Sequence, residues 1–175
     1  IYPEQDETGI LGAIAPREVE AALERYGDVS AVLVTSPTFE GVTSDIAAIA
    51  QSCHRRGVPL IVDAAHGAHF GFDAAFPAQP VRLGADLVIM SLHKTLPALT
   101  QCALLAIGGN ADEELTAYAL SIFETTSPSY ILLSAIDECL RELDQNAAAL
   151  FGALADELDE FYKGTKLSRL KLKHY

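Results

Sequence analysis

The chain of 175 residues has no tryptophan, a single methionine and only three cysteines. Cys53, Cys102 and Cys139 stand far apart and lack the close pairing of a metal-binding motif. Isolated cysteines of this kind are typical of small core residues in a reducing compartment. We therefore expect a cytoplasmic protein that binds no metal through its cysteines.

Long apolar runs and an excess of basic residues are also missing. No stretch approaches the length that crosses a bilayer, and no secretory signal is visible. Lysine and arginine total 12 against 24 acidic residues, so the net charge of −12 disfavours nucleic acid as a partner. The chain starts at Ile1 without a methionine, and we expect it to be part of a longer protein.

Apolar periodicity and turn residues predict helices alternating with short strands. The run 29–35 is β-branched and apolar, which favours a strand buried on both faces. About ten residues separate the last two strands, too few for a helical crossover, so that pair is expected to be antiparallel. The predicted strands are 29–35, 58–62, 87–90 and 102–107. The first predicted helix covers 16–26, and the second runs from a cap at Thr43 or Ser44 to about residue 56. Two more helices are predicted over 111–124 and 130–162, the last of them long and either kinked or packed against a partner.

This alternation predicts a three-layer α/β/α fold with a mostly parallel sheet. Ligands of such sheets bind beyond the carboxyl ends of the strands. Asp63, His66 and Lys94 each follow a predicted strand, with Lys94 in a loop, and we expect them to converge at that edge.

Lys94 follows an apolar strand within the string SLHKTL. A partly desolvated lysine has a lowered pKa and forms Schiff bases with carbonyl compounds; the alternative is a surface lysine in a hairpin loop. Asp63 ends the strand LIVD, where a carboxylate beside a pyridine nitrogen keeps that nitrogen protonated. Its alternatives are capping of the next loop and metal binding.

His66 and His69 form an H-x-x-H pair, and two imidazoles three residues apart on a helix can share one metal ion. Gly67 interrupts a helix there, and no third ligand is evident beyond Asp63. We therefore expect no metal, with His66 stacked on or hydrogen-bonded to a cofactor ring and His69 in a structural role.

Hydroxyl groups occur at two further turns. Thr38 lies in SPTFEG after the first strand, and Thr126 lies in TTSP before the last helix, where hydroxyls and free backbone N–H groups can hold phosphate. Ordinary capping is the alternative for both.

Three strings in this order, SPTFEG, VDAAHGAHF and SLHKTLPALTQ, closely resemble the major domain of the bacterial ornithine/lysine/arginine decarboxylases. These are fold type I enzymes that depend on pyridoxal 5′-phosphate (PLP), and the resemblance covers about residues 3–162. It implies a PLP-binding major domain, incomplete in this chain, over 1–163, followed by a further segment or a frayed tail over 164–175.

The resemblance also implies a role for each site residue. Lys94 would form the Schiff base with PLP, Asp63 would pair with the pyridine nitrogen, and His66 would lie against the ring or its 3′-oxygen. Ser91 and His93 would contact the phosphate, with Thr38 at the ring edge and Thr126 at the phosphate of a neighbouring subunit. The implied assembly is a homodimer or a higher homo-oligomer.

The implied reaction is decarboxylation of lysine, ornithine or arginine to the amine and CO2, a step of polyamine biosynthesis. Alternatives are another fold type I reaction, such as an aminotransferase or a lyase, and a non-catalytic partner subunit with the same fold. Ala64 departs from the glutamate common in the family. Segments that complete the cofactor and substrate sites in the family are absent from this chain, which we expect to be inactive alone.

Overall fold

The computed structural model describes residues 1–164 apart from residues 4, 6 and 8. Its elements alternate as the sequence predicts, with two short additions, a 3-10 helix at Pro80–Leu83 and a single helical turn at Leu92–Thr95. The strands are β1 (Val32–Thr35), β2 (Leu60–Asp63), β3 (Leu87–Ser91) and β4 (Ala103–Ile107); the helices are α1 (Pro16–Arg25), α2 (Ile46–His54), α3 (Leu92–Thr95), α4 (Glu113–Phe123) and α5 (Tyr130–Gly164).

The four strands form one sheet in the order β1-β2-β3-β4. The first three are parallel, in a register that places Thr35 beside Asp63 and Asp63 beside Ile89. β4 runs antiparallel to β3, with Ser91 beside Ala103. The mostly parallel α/β architecture and the antiparallel last pair are therefore confirmed.

One face of the sheet forms much of the core. Alternate residues of the parallel strands are buried, namely Val32, Val34, Leu60, Val62, Val88 and Met90. The prediction that the first strand is buried on both faces is wrong, because Leu33 is 65% exposed. β1 is an edge strand of the described sheet, and an apolar groove of about 650 Å³ runs along it.

Helix α2 begins one or two residues later than the sequence suggested. Its N-cap is Asp45, whose side chain accepts a hydrogen bond from the N–H of Ala48 at 3.0 Å. Ser44, one of the two predicted caps, is instead buried and bonded to an earlier loop: its Oγ accepts from the N–H of Ile14 at 2.9 Å. The prediction of a cap at Thr43 or Ser44 is therefore wrong.

Helix α5 continues through 35 residues. Its buried residues recur every fourth position, which gives one apolar stripe along the helix; they are Cys139, Leu143, Ala147 and Phe151. The predicted tail after this helix lies outside the described residues from position 165 onward.

Candidate cofactor site

Three parallel strands end at one edge of the sheet, and the predicted site residues follow them. Thr38 comes after β1, Asp63 ends β2, and Ser91 ends β3 immediately before α3, which contains Lys94. The N–H of Ala64 donates to the carbonyl oxygen of Ile89 at 2.8 Å, so the segment after β2 stays attached to β3 beyond the paired residues. The strands before these residues therefore end at the same edge of the sheet, as the strand pattern predicts.

Asp63 is half-buried at this edge. Its Oδ1 accepts a hydrogen bond from the N–H of Ala65 at 3.0 Å, which fixes the orientation of the carboxylate. Its Oδ2 has no hydrogen-bond partner among the residues that the structure describes. Ala64, where the family commonly has glutamate, is fully buried, so its side chain faces the core.

Lys94 lies in α3, a single helical turn, rather than in the predicted loop. The turn is anchored on either side of the lysine by the buried side chains of Leu92 and Leu96, and the N–H of Leu96 donates to the carbonyl of Leu92 at 2.9 Å. Lys94 itself is exposed. The desolvated environment expected for it is therefore not supplied by the described part of the chain.

His93 is held by the residue that directly precedes β4. Its Nδ1 donates to the carbonyl oxygen of Cys102 at 2.9 Å, which leaves Nε2 as the ring nitrogen that can meet a ligand. Cys102 is in turn tied to α5, since its thiol donates to the carbonyl of Leu132 at 3.7 Å. No motif in the sequence marks the bond between His93 and Cys102, although the predicted antiparallel pairing of the last two strands brings the two residues together.

Two hydroxyl groups lie close to Lys94 in the sequence, those of Ser91 and Thr95. Ser91 occupies the N-cap position of α3, yet its side chain makes no capping hydrogen bond. The hydroxyl oxygen of Thr95 is buried and has no partner within the described residues. Because the hydroxyl of Thr95 is buried, the hydroxyl of Ser91 is the one of the two that a ligand at this edge can reach.

His66 is half-buried at the same edge, next to the loop that holds Thr38. The aromatic ring of Phe39 meets its imidazole in a T-shaped contact, with ring centroids 5.4 Å apart. Gly67 follows, and a Cβ at this position would lie 2.8 Å from Cδ of Pro37, so no larger residue fits without a shift. Phe39 stands within the string SPTFEG, and its side chain has no reactive group that would single it out from the sequence.

His69 lies apart from these residues, in a cluster of aromatic rings. Its imidazole contacts the rings of Phe70, Phe76 and Phe151 at centroid distances of 4.9, 5.3 and 6.4 Å. Burial lowers the pKa of His69, which favours the neutral ring. No group of three or more His, Cys, Asp or Glu residues suited to a metal ion occurs in the part of the chain that the structure describes.

Thr126 is the candidate that the structure does not bring to the strand ends. It is exposed in the connection between α4 and α5. Among the residues that the structure describes, no hydrogen bond joins Thr126 to the other candidate residues.

The chemistry of this edge fits PLP. The cofactor has an aldehyde, a basic ring nitrogen and a phosphate. The edge presents the exposed amine of Lys94, the oriented carboxylate of Asp63 with one unpaired oxygen, and the hydroxyl of Ser91, which is not used in capping. His66 adds an aromatic ring of the size that packs on a pyridine.

Fold and site together define a layered α/β protein with a lysine and an aspartate at the carboxyl edge of its parallel strands. The chain belongs to the Orn/Lys/Arg decarboxylase family, because residues 1–153 match the model of the family's major domain.

Curated relatives support the assignment. The chain is 36% identical to an arginine decarboxylase of Halalkalibacterium halodurans over 162 residues, which cover 90% of this chain and 33% of that protein. It is 31% identical to the constitutive lysine decarboxylase of Escherichia coli, over 83% of this chain and 22% of that protein. The chain thus spans a third or less of the length of these relatives.

Solved structures show the same fold. The constitutive lysine decarboxylase of Escherichia coli superposes with a TM-score of 0.71 at 24% identity, over 92% of this chain and 24% of that one. A lysine decarboxylase of Francisella novicida superposes with a TM-score of 0.60 at 21% identity, over 95% of this chain and 26% of that one. Among the described residues, no helix is long and apolar enough to span a membrane.

Proposed function

We propose that the full-length gene product is a PLP-dependent decarboxylase that converts lysine, ornithine or arginine to the corresponding amine and CO2. The observation that supports the proposal is the position of Asp63 and Lys94: Asp63 ends β2 and Lys94 directly follows the adjacent strand β3, in a chain of the Orn/Lys/Arg decarboxylase family. Relatives named arginine and lysine decarboxylase support a basic amino acid as substrate.

PLP, when bound, supplies an aldehyde for the substrate amine and a ring that accepts electrons as the bond to the carboxylate breaks. The amine of Lys94 would be the group that holds the aldehyde of the cofactor. Its position on a turn anchored by Leu92 and Leu96 keeps the amine beside the sheet edge.

Asp63 would hold a proton on the ring nitrogen. Its Oδ1 is occupied by the N–H of Ala65, so Oδ2 is the atom for that proton. A carboxylate in this place stabilises the protonated nitrogen, and the ring then accepts electron density more readily. His66 would pack on the ring, and Thr38 would lie near the ring edge.

Ser91 and His93 would bind the phosphate. The side chain of Ser91 is not used in capping. Nδ1 of His93 is committed to the carbonyl of Cys102, so His93 reaches the phosphate with Nε2. Donation from Nε2 as well requires a protonated imidazole, whose positive charge suits an anionic ligand.

The protein would act as a homodimer or a higher homo-oligomer. Helix α4 has no buried residue, and Phe123 at its end is 88% exposed. Apolar surface of this kind marks protein interfaces, and Thr126 lies three residues after the end of α4. A second copy on this surface would place Thr126 near the phosphate of its neighbour.

We also propose that residues 1–163 form part of a PLP-binding domain that is inactive alone, because the described chain leaves Lys94 exposed. Free, buried Cys53, Cys102 and Cys139 support a cytoplasmic location.

Borohydride reduction of the full-length gene product with PLP, followed by peptide mass mapping, tests the proposal. We expect a pyridoxyl mass on the peptide that contains Lys94, and none after Lys94→Ala. Assays with lysine, ornithine and arginine should then yield one amine and CO2. A keto acid, or a product of side-chain cleavage, would instead identify an aminotransferase or a lyase. A folded protein without an adduct would point to a non-catalytic partner subunit.

A further inference from the structure

The loops that follow β1 and β2 contact each other at three points. The N–H of Ser36 donates to the carbonyl of Asp63 at 3.0 Å. Pro37 packs so closely on Gly67 that a Cβ there would lie 2.8 Å from Cδ of the proline. Further along both loops, Phe39 meets His66. The loop after β1 thus contacts the segment that carries the proposed cofactor residues Asp63 and His66.

The backbone on either side of Phe39 is fixed by its own hydrogen bonds. The N–H of Thr38 donates to the carbonyl of Val42 at 2.9 Å, and the N–H of Val42 donates back to Oγ1 of Thr38 at 3.2 Å. Deeper in the fold, the N–H of Ser44 donates to Oγ of the buried Ser36 at 3.0 Å. Phe39 is therefore presented from a closed loop and not from a free coil.

The side chain of Phe39 gains little from burial, since it is 83% exposed. Its ring contacts the imidazole of His66, and the planes of the two rings meet at 75°. Edge-to-face contacts of this geometry are favourable and directional. A histidine ring turns broadly about its χ2 bond, so a neighbouring ring at a right angle limits the planes that the imidazole can adopt.

We propose that Phe39 is a positioning residue that holds the imidazole of His66 in the plane required against the cofactor. This inference rests on the proposed function, because it assigns Phe39 a part in the same site. Losing one edge-to-face contact corresponds to roughly a two- to tenfold change in rate if the contact is kept in the transition state.

The test uses the full-length protein loaded with PLP and compares Phe39→Ala with Phe39→Tyr, which keeps the ring. We expect kcat to fall roughly two- to tenfold for the alanine variant and to stay near that of the wild type for the tyrosine variant. Phe161→Ala removes an aromatic side chain that is 49% exposed on α5 and serves as the matched control. Its kcat should not change.

A double-mutant cycle shows whether Phe39 acts through His66. In the His66→Ala background, Phe39→Ala should have no further effect on kcat. An undiminished effect in that background, or no effect of Phe39→Ala in the wild type, would overturn the proposal. Trapping of PLP on Lys94 is measured in every variant, so a missing adduct in the wild type refutes the proposed function itself.

A second measurement needs no bound cofactor. In the protein without PLP, the ring current of Phe39 should displace the NMR signals of the carbon-bound ring protons of His66. Phe39→Ala should return those signals to ordinary positions, and Phe39→Tyr should keep them displaced. Unchanged signals in the alanine variant would show that the two rings do not meet in solution and would refute the positioning role.

Discussion

His54 donates a hydrogen bond from Nε2 to Oδ2 of Asp86 across 2.8 Å, joining the end of α2 to the start of β3. The same oxygen accepts from the N–H of Leu60 at 2.7 Å, and Asp86 is 1% exposed. A buried carboxylate thus connects a helix and two strands at the sheet edge opposite Lys94. Burial, and secondarily the charge of Asp86, raises the pKa of the neighbouring Cys53 thiol, which keeps that thiol protonated.

Replacing Asp86 should therefore destabilise the fold without touching the cofactor residues. Asp86→Ala leaves the N–H of Leu60 buried without a partner and should lower the free energy of unfolding by about 3 kcal/mol or more. His54→Ala should lower the free energy of unfolding by about 1 kcal/mol, because solvent can reach the position that the imidazole leaves. Urea unfolding measures both, and His54→Gln, whose amide can still donate, should recover part of the loss. Equal stability of Asp86→Ala and the wild type would contradict this function of the carboxylate.

The aromatic cluster around His69 predicts a dependence of stability on pH. Burial lowers the pKa of His69 in the folded state, whereas the unfolded chain keeps the ordinary value of about 6.5. Above that value both states are neutral and the histidine adds no pH dependence. As the pH falls below about 6.5, the unfolded state takes up the proton first, so this histidine makes the fold less stable.

The difference in unfolding free energy between the wild type and His69→Phe isolates this effect, because phenylalanine preserves an aromatic ring but does not titrate. We expect His69→Phe to gain stability relative to the wild type as the pH is lowered from 8 to 5. A constant difference across that range would show that His69 is not desolvated. Activity should depend far less on His69 than on His66.

Much of the architecture follows from local sequence pattern. The remainder depends on contacts between residues that are far apart in the sequence. β-branched runs before Thr35 and Asp63 predict strands, and their parallel order alone brings the site residues to one edge. The single turn around Lys94 is too short to show a helical period. The exposure of Leu33 depends on whether another segment covers the outer edge of β1, which no local pattern shows.

The same division applies inside the site. Asp63 and Lys94 are conspicuous because both residue types carry chemistry and both directly follow strands. Phe39 belongs to the site only because two loops from different strands meet, and its residue type suggests no reaction. The pair of His54 and Asp86 arises in the same way, from elements that are distant in sequence.

The apolar stripe on α4 predicts an oligomer that a single charge should disrupt. Leu115, Tyr118 and Ile122 recur at helical spacing and are each at least 60% exposed. Ile122→Asp should leave the fold intact and shift the full-length protein toward monomers in sedimentation velocity, because a buried charge at an interface is unfavourable. Leu150→Asp, 49% exposed on α5, is the matched control and should keep the assembly. An unchanged assembly in Ile122→Asp would place the interface elsewhere.

Asp63 and Asp73 provide a matched pair for testing the proposed chemistry. Each carboxylate accepts a hydrogen bond from the N–H two residues later, at 3.0 Å from Ala65 and 2.8 Å from Ala75, but only Asp63 stands at the strand ends beside Lys94. Asparagine at either position keeps an oxygen for that hydrogen bond and removes the charge.

Asp63→Asn should leave PLP trapped on Lys94 but lower kcat on the order of a hundredfold or more, because a neutral amide no longer stabilises a protonated ring nitrogen. Asp73→Asn should match the wild type in both measurements. Near-normal turnover of Asp63→Asn, with PLP still attached, would remove Asp63 from the reaction while leaving Lys94 as the anchor.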